Sequence, residues 1–202
     1  MYILRTTPTS PFGRKVYIAA AVLGLENQIS VINADTTDPN DDLRQQNPLG
    51  KIPTLVLENG KALYDSRVIV QYLESCSSPD IMIPPEYDRF DILTAEALAD
   101  GLMDAAVLIV YETRFRPAEH HVLTWLEHQQ GKINRALSYA EDHLSTLRSG
   151  KPHIGEISLA CALGFLDFRL SGAWRNNHPK LVAWLDDFAR RTPSFETTTP
   201  KG

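Results

Sequence analysis

The 202-residue chain predicts an α/β domain over residues 1–78 followed by an all-α domain over 86–202. Three observations carry that prediction. Strand-like and helix-like segments alternate in the first region. An Asn-Gly pair at 59–60 closes a hairpin within it. Beyond the proline-bearing stretch "SSPDIMIPPEYD" (77–88), every periodic segment has apolar residues at helical spacing.

The elements follow in order. "YILRT" (2–6) is rich in branched and aromatic residues and reads as a strand. Residues 11–24 read as a helix, with Pro11 at its first position and Gly24 at its end. "QISVIN" (28–33) is a second strand. The polar connection "DTTDPNDDLRQQNPLG" accommodates a short helix around 41–46. "TLVL" and "KALY" flank Glu58-Asn59-Gly60 as the arms of a hairpin over 53–64. Residues 66–76 place apolar side chains at 68, 69, 72 and 73, which is helical spacing. In a β-α-β-(α)-β-β-α order, the crossover helix makes the first strand pair parallel and the tight turn makes the last antiparallel. The second region predicts helices over 87–114, 118–148, 157–170 and 179–191, with an aperiodic tail "TPSFETTTPKG".

Composition excludes several functions. Net charge is −5, with 43% apolar and 22% charged residues of interspersed sign, so no basic face suits nucleic acid. No apolar run approaches the roughly 20 residues that span a bilayer. The start of the chain lacks the charged and apolar regions of a leader, and Cys76 and Cys161 lie far apart. A cytoplasmic location is expected, with each cysteine a small buried hydrophobe. His120, His121 and His128 fall on one predicted helix. His121 and His128 are two turns, roughly 10 Å, apart, so solvent-facing histidines and no metal are expected.

Three short segments admit two readings each. Ser10-Pro11 is a helix cap; the same helix start presents free N–H groups and partial positive charge, and a serine hydroxyl there can donate to a thiolate. In "NPLGKIPTLV" (47–56), Pro53 is a strand-entry proline; were the Ile52–Pro53 bond cis, the backbone of Ile52 would face a ligand. In "YDSR" (64–67), Asp65 or Ser66 caps a helix; the same groups suit an α-carboxylate and an α-ammonium on one ligand.

Taken together and in this order, the three segments resemble the glutathione S-transferase family, and the resemblance spans essentially the whole chain. "SPFGRKV", "EALADGLMDA" and "ISLACALGFLDFR" are similar to a bacterial YibF-type subgroup. The resemblance implies a thioredoxin-like domain followed by a helical substrate-pocket and dimerisation domain. It implies that Ser10, with Thr9 as the adjacent alternative, contacts the glutathione sulfur, Tyr2 lying too early in the strand. No cysteine stands at the serine's place, which argues against a protein–glutathione mixed disulfide. Ile52, held by cis Pro53, would pair with the cysteinyl backbone, and Asp65 and Ser66 would hold the γ-glutamyl end. Lys51, Gln46 and Asn47 are candidates for the glycine carboxylate, although Arg44 is the one basic residue in 33–45.

Phe12, Met103, Val107 and Tyr111 are candidates for an electrophile pocket, with Arg114, Phe115 and Trp174 as further ones; plain core is the alternative for the 103–107–111 stripe. Glu96, Asp100 and Asp104 repeat every four residues on an apolar helix. The resemblance implies that Asp100, or else Asp104, reaches the partner subunit's glutathione amine in a homodimer; a solvated face is the alternative. The chain departs from the family's helical capping box, with Ser158 present but Cys161 at the acidic position, which predicts a weakened cap. The expected enzyme is a detoxifying transferase that conjugates glutathione, as co-substrate, to small apolar electrophiles. The alternatives are a glutathione-dependent peroxidase or disulfide reductase on the same thiolate, and a non-catalytic regulatory or partner-binding protein of this fold.

Overall fold

A computed structural model describes residues 1–77, 82–84, 89–144 and 151–200. The domain limits read at 78 and 86, most of the 77–88 connection and the end of the helix read to 148 lie outside these residues. Strands β1 (Tyr2–Thr6), β2 (Ile29–Asn33), β3 (Thr54–Val56) and β4 (Ala62–Leu63) form one sheet in the order β2-β1-β3-β4. β1 pairs with β2 in parallel, through helix α1 (Pro11–Val22) and a 3-10 turn at Glu26–Gln28. β1–β3 and β3–β4 are antiparallel, as a crossover and a tight turn require. Helix α2 (Leu43–Gln46) lies in the polar connection, and α3 (Ser66–Ser75) follows the hairpin.

The registers place the ends of these elements. Arg5 stands opposite Thr54, and Leu55 opposite Leu63. Continuing both ladders one or two residues brings the end of β1, the entry of β3 and the start of α3 to one edge of the sheet. α1 also begins at that edge, because it follows β1 directly. Leu4, Leu55, Val16, Ile18, Ile69 and Leu73 form the core beneath it, all fully buried.

The helical part contains α4 (Arg89–Phe115), α5 (Leu123–Asp142), α6 (Ile154–Arg169), α7 (Pro179–Arg191) and α8 (Pro193–Thr197). α6 is the central helix: Ile154 through Leu166 are all buried, and α4, α1 and α7 pack around it. Such an all-round apolar helix has no solvent face to mark its start.

Five sequence expectations differ from the structure. The helix read from 118 is a 3-10 turn at Ala118–His120 and then α5 from Leu123, so His120, His121 and His128 do not share a helix. Pro117 turns the chain, and the Glu112 carboxylate accepts from the Val122 N–H at 3.1 Å. α6 begins at Ile154, three residues before the predicted start. Its cap is His153, whose ring accepts from the Glu156 N–H while Glu156 accepts from the His153 N–H. That reciprocal box is complete without Ser158, which lies inside the helix, so the half-box expected at Ser158–Cys161 is not a cap at all. The tail forms α8 because Phe195 inserts its ring at right angles to Phe188, with centroids 5.6 Å apart. Finally, Cys161 is buried, its thiol pushed up to about 12 by desolvation, but Cys76 is exposed at the end of α3, beyond the last core residue, Leu73.

Candidate functional site

Ser10 is the N-cap of α1. Its Oγ accepts from the Gly13 N–H at 3.1 Å, and its carbonyl accepts from the Arg14 N–H at 3.0 Å. The cap uses a lone pair and leaves the hydroxyl proton to donate. Cap and thiolate donor are therefore compatible roles for one side chain. The geometry depends on Gly13: a Cβ there would sit 1.8 Å from Thr6 Oγ1 and 2.9 Å from Thr6 Cβ. Glycine lets the first turn of α1 close onto the end of β1. Thr9 Oγ1 lies 3.4 Å from Thr7 Oγ1.

The second segment is the loop into β3. The Ile52–Pro53 bond is cis, and Pro53 is buried while Lys51 is exposed. Asn47 is buried and shapes this loop. Its Nδ2 donates to the Lys51 carbonyl at 3.0 Å and to Thr54 Oγ1 at 3.1 Å, and its Oδ1 accepts from the Leu49 N–H. Gln46 accepts from Arg5 Nη1 at 3.0 Å. Both amides are thus engaged in the scaffold, and Lys51 is the candidate for the glycine carboxylate that faces solvent. Arg44 donates to the carbonyls of Thr36 and Asp38, bracing the connection instead.

The third segment opens α3. Asp65 is its N-cap, accepting from the Arg67 N–H at 3.1 Å, and Ser66 is buried beside it. The Tyr64–Asp65 bond is also cis. Arg67 points across to the helical part, where its Nε meets Asp100 Oδ2 at 2.7 Å.

Asp100 anchors an ion network. Lys15, fully buried on α1, donates to both Asp100 oxygens at 2.9 and 3.0 Å and lies 2.7 Å from Glu96 Oε1. The Glu96 contact is an ion pair without the alignment of a hydrogen bond. Burial pushes the Glu96 carboxyl up, and Lys15 opposes it. A solvated face is therefore ruled out for Glu96 and Asp100, which are 2% and 1% exposed. Asp104, one turn on, does reach the surface. Partial desolvation and then the Asp100 charge push its carboxyl up, while Lys51 and Arg67 pull it down.

The pocket candidates grade from core to surface. Met103 is fully buried, Val107 is half-buried, and Tyr111 is 42% exposed with its ring edge-on to Phe115 at 5.1 Å. Phe12 is half-buried on α1, and Arg114 lies over the Phe115 ring. Trp174 lies elsewhere. Its indole N–H donates to Asp167, and it lines an open groove of about 500 Å³ with Ile133, Leu137 and Leu166, wholly within the helical part. Tyr2 packs edge-on against Tyr72, with its hydroxyl 3.8 Å from the Cys76 sulfur.

The residues that sequence reasoning missed are Arg14, Lys15 and Arg67. A signal existed for two of them. Carboxylates repeated on an apolar helix need cations, and the basic residues at 15 and 67 follow the starts of the two helices that flank the site.

A small mixed sheet with a hydroxyl-capped helix, a cis-proline loop and an acid-capped helix at one edge, set against a helical bundle, is the glutathione S-transferase architecture. The N-terminal domain of that family matches residues 9–76, and its C-terminal domain matches residues 124–187. The chain belongs to the glutathione S-transferase family. It is 35% identical over 96% of both chains to an uncharacterized GST-like protein, YibF, of Escherichia coli K12. A glutathione transferase family member from Pseudomonas fluorescens Pf-5, solved with bound glutathione, is 41% identical, with a TM-score of 0.93 and full coverage of both chains. The same family member is also known with bound S-(propanoic acid)-glutathione. A glutathione S-transferase from Methylobacillus flagellatus KT, with glutathione bound, is 33% identical, with a TM-score of 0.91 and full coverage of both. Among the described residues no helix is long and apolar enough to cross a membrane, and no group of three or more His, Cys, Asp or Glu could hold a metal.

Proposed function

We propose that the protein binds glutathione at this edge of the sheet and transfers its thiolate to small apolar electrophiles. The observation that carries the reading is the Ser10 geometry: a capping hydroxyl with its proton available, at a helix start in a chain whose full-length relatives were solved with glutathione bound. The positive end of the α1 dipole and the Ser10 hydroxyl would stabilise the anion, and ionised sulfur is the nucleophile. Ile52 next to cis Pro53 would take the cysteinyl backbone, Asp65 and Ser66 the γ-glutamyl end, and Lys51 the glycine carboxylate. Thr9 is the fallback donor to the sulfur. That the Pseudomonas fluorescens relative also holds a glutathione substituted on sulfur supports a pocket beyond the thiol. Here Phe12, Met103, Val107 and Tyr111 would form it.

The reading includes a homodimer. Val68 on α3 and Phe90 on α4 expose large apolar side chains, 46% and 75% accessible. Asp104 is better placed than Asp100 to meet a partner's glutathione amine, because both Asp100 oxygens are held by Lys15 and Arg67.

Calorimetry with glutathione tests binding. Turnover of chloro-dinitrobenzene, cumene hydroperoxide and a model disulfide tests the reaction. The proposal expects binding and fastest turnover of the aryl halide. Faster turnover of the peroxide or the disulfide would make the protein a reductase, and no binding would make it a non-catalytic member of the fold.

A further inference from the structure

Arg14 is 7% exposed, although it is a cation on the first turns of a helix beside the site. Its guanidinium leaves α1 and enters the helical part. Nη2 donates to the Phe195 carbonyl at 2.5 Å, Nε donates to Thr198 Oγ1 at 3.2 Å, and the group stacks 4.0 Å from the centroid of the Phe195 ring. It passes so close to α6 that a Cβ on Gly164 would lie 2.5 Å from Nη1. The group therefore holds α8 at its middle residue and at Thr198 just past its end, sharing the Phe195 carbonyl with the Thr198 and Thr199 hydroxyls. At its other end, the Arg14 N–H holds the Ser10 carbonyl, and the neighbouring Gly13 N–H holds Ser10 Oγ.

We propose that α8 is a latch on α1, and that Arg14 is the positioning residue through which the latch holds the Ser10 hydroxyl in place. The proposal rests on the assignment of Ser10 to the glutathione sulfur. Among the described residues, the Arg14 head group joins α1 to this tail through two hydrogen bonds. Lys15, the next residue, ties the same helix to α4. Two consecutive basic side chains thus dock α1 from two sides, Arg14 on the tail and Lys15 on α4.

The test compares the intact protein with Arg14→Gln and with a chain ended after Thr192. Three quantities are read: the pH at which bound glutathione forms its thiolate, the affinity for glutathione and the affinity for S-methylglutathione, which has no thiol to ionise. The latch predicts that both variants raise the thiol pKa by about half a unit, roughly a threefold loss of thiolate at a given pH. It also predicts that they leave S-methylglutathione affinity unchanged and that combining them adds nothing. Truncation keeps the Arg14 charge, so a shift in Arg14→Gln alone would assign the effect to charge and overturn the latch. Equal weakening of both ligands would show a merely structural role and overturn it too. If the shortened chain does not fold, Thr198→Val, which removes one of the two hydrogen bonds to Arg14 together with the Thr198 bond to the Ser194 carbonyl within α8, is expected to shift the pKa in the same direction by less; no shift overturns the proposal. Normal ionisation in the intact protein that neither variant changes overturns the latch alone. Absence of ionisation in the intact protein overturns the Ser10 assignment itself.

Discussion

At the scale of single residues, the site depends on one glycine and one hydroxyl. Gly13→Ala would drive a methyl into Thr6, and the overlap has no flexible end to yield. A loss of about 1–3 kcal/mol is expected in a denaturation midpoint, with weaker glutathione binding by calorimetry. Ser10 was legible in the sequence as a cap and, through the resemblance, as a sulfur contact. The geometry shows why the two readings coexist: the oxygen accepts within α1 while its proton remains available. Asn47 was legible only as one of three candidates for the glycine carboxylate. Its role in holding the Lys51 carbonyl depends on a buried loop conformation that no local pattern announces. The burial of Arg14 was hidden for a related reason. Charged residues are ordinarily solvated, and burial shows only when the partner carbonyl and hydroxyl are brought in from residues 195 and 198.

At the scale of elements, helix starts distinguish the two halves. α1 and α3 begin at Ser10-Pro11 and Asp65-Ser66, where capping chemistry is plain in sequence. α6 begins at a histidine, which is not among the preferred caps, and its apolar sequence gives no phase. His153→Ala should therefore cost about 1 kcal/mol in urea unfolding. Ser158→Ala should cost nothing or stabilise, because the buried Ser158 hydroxyl has no hydrogen-bond partner among the described residues. The reverse pattern would mean that the helix starts at Ser158.

The connection before α2 titrates differently from the core. Backbone N–H groups of Leu43 and Asp35, with Arg5 adding to them, hold the Asp41 carboxyl below the usual range. Asp35 is held low by the Thr37 hydroxyl and backbone. A depressed carboxyl stabilises the fold above its unfolded pKa and loses that stabilisation as pH falls through the folded one. Both effects should thus begin to fade below about pH 4 and disappear only once the pH has fallen through the lowered folded values. Asp41→Asn is expected to flatten the acid limb of a stability profile. Glu96 and Glu156 have the opposite sign: burial raises them, so their contribution weakens as pH rises above the usual glutamate value.

At the scale of the molecule, the two halves meet through charge as well as apolar packing. Lys15, Glu96, Asp100 and Arg67 link α1, α3 and α4, and Arg14 links α1 to α8. Lys15→Met removes one cation and leaves two buried carboxylates with Arg67 alone. A loss of about 3–5 kcal/mol is expected in equilibrium unfolding, well above that of an exposed lysine substitution. The division into an α/β part and a helical part was readable from periodicity, and the antiparallel hairpin from Asn59-Gly60. The contacts that join the parts were not, since they pair residues 33 to 184 positions apart. Their consequence converges on α1, whose start is where the account places the chemistry. The most direct test is a pH titration of the thiolate absorbance of glutathione bound to the intact protein and to Ser10→Ala. The account predicts that the bound thiol ionises about two units below its free value near 8.5, and that Ser10→Ala returns at least about one of those units. A bound thiol that titrates at its free value in the intact protein, or identically in the variant, would contradict it.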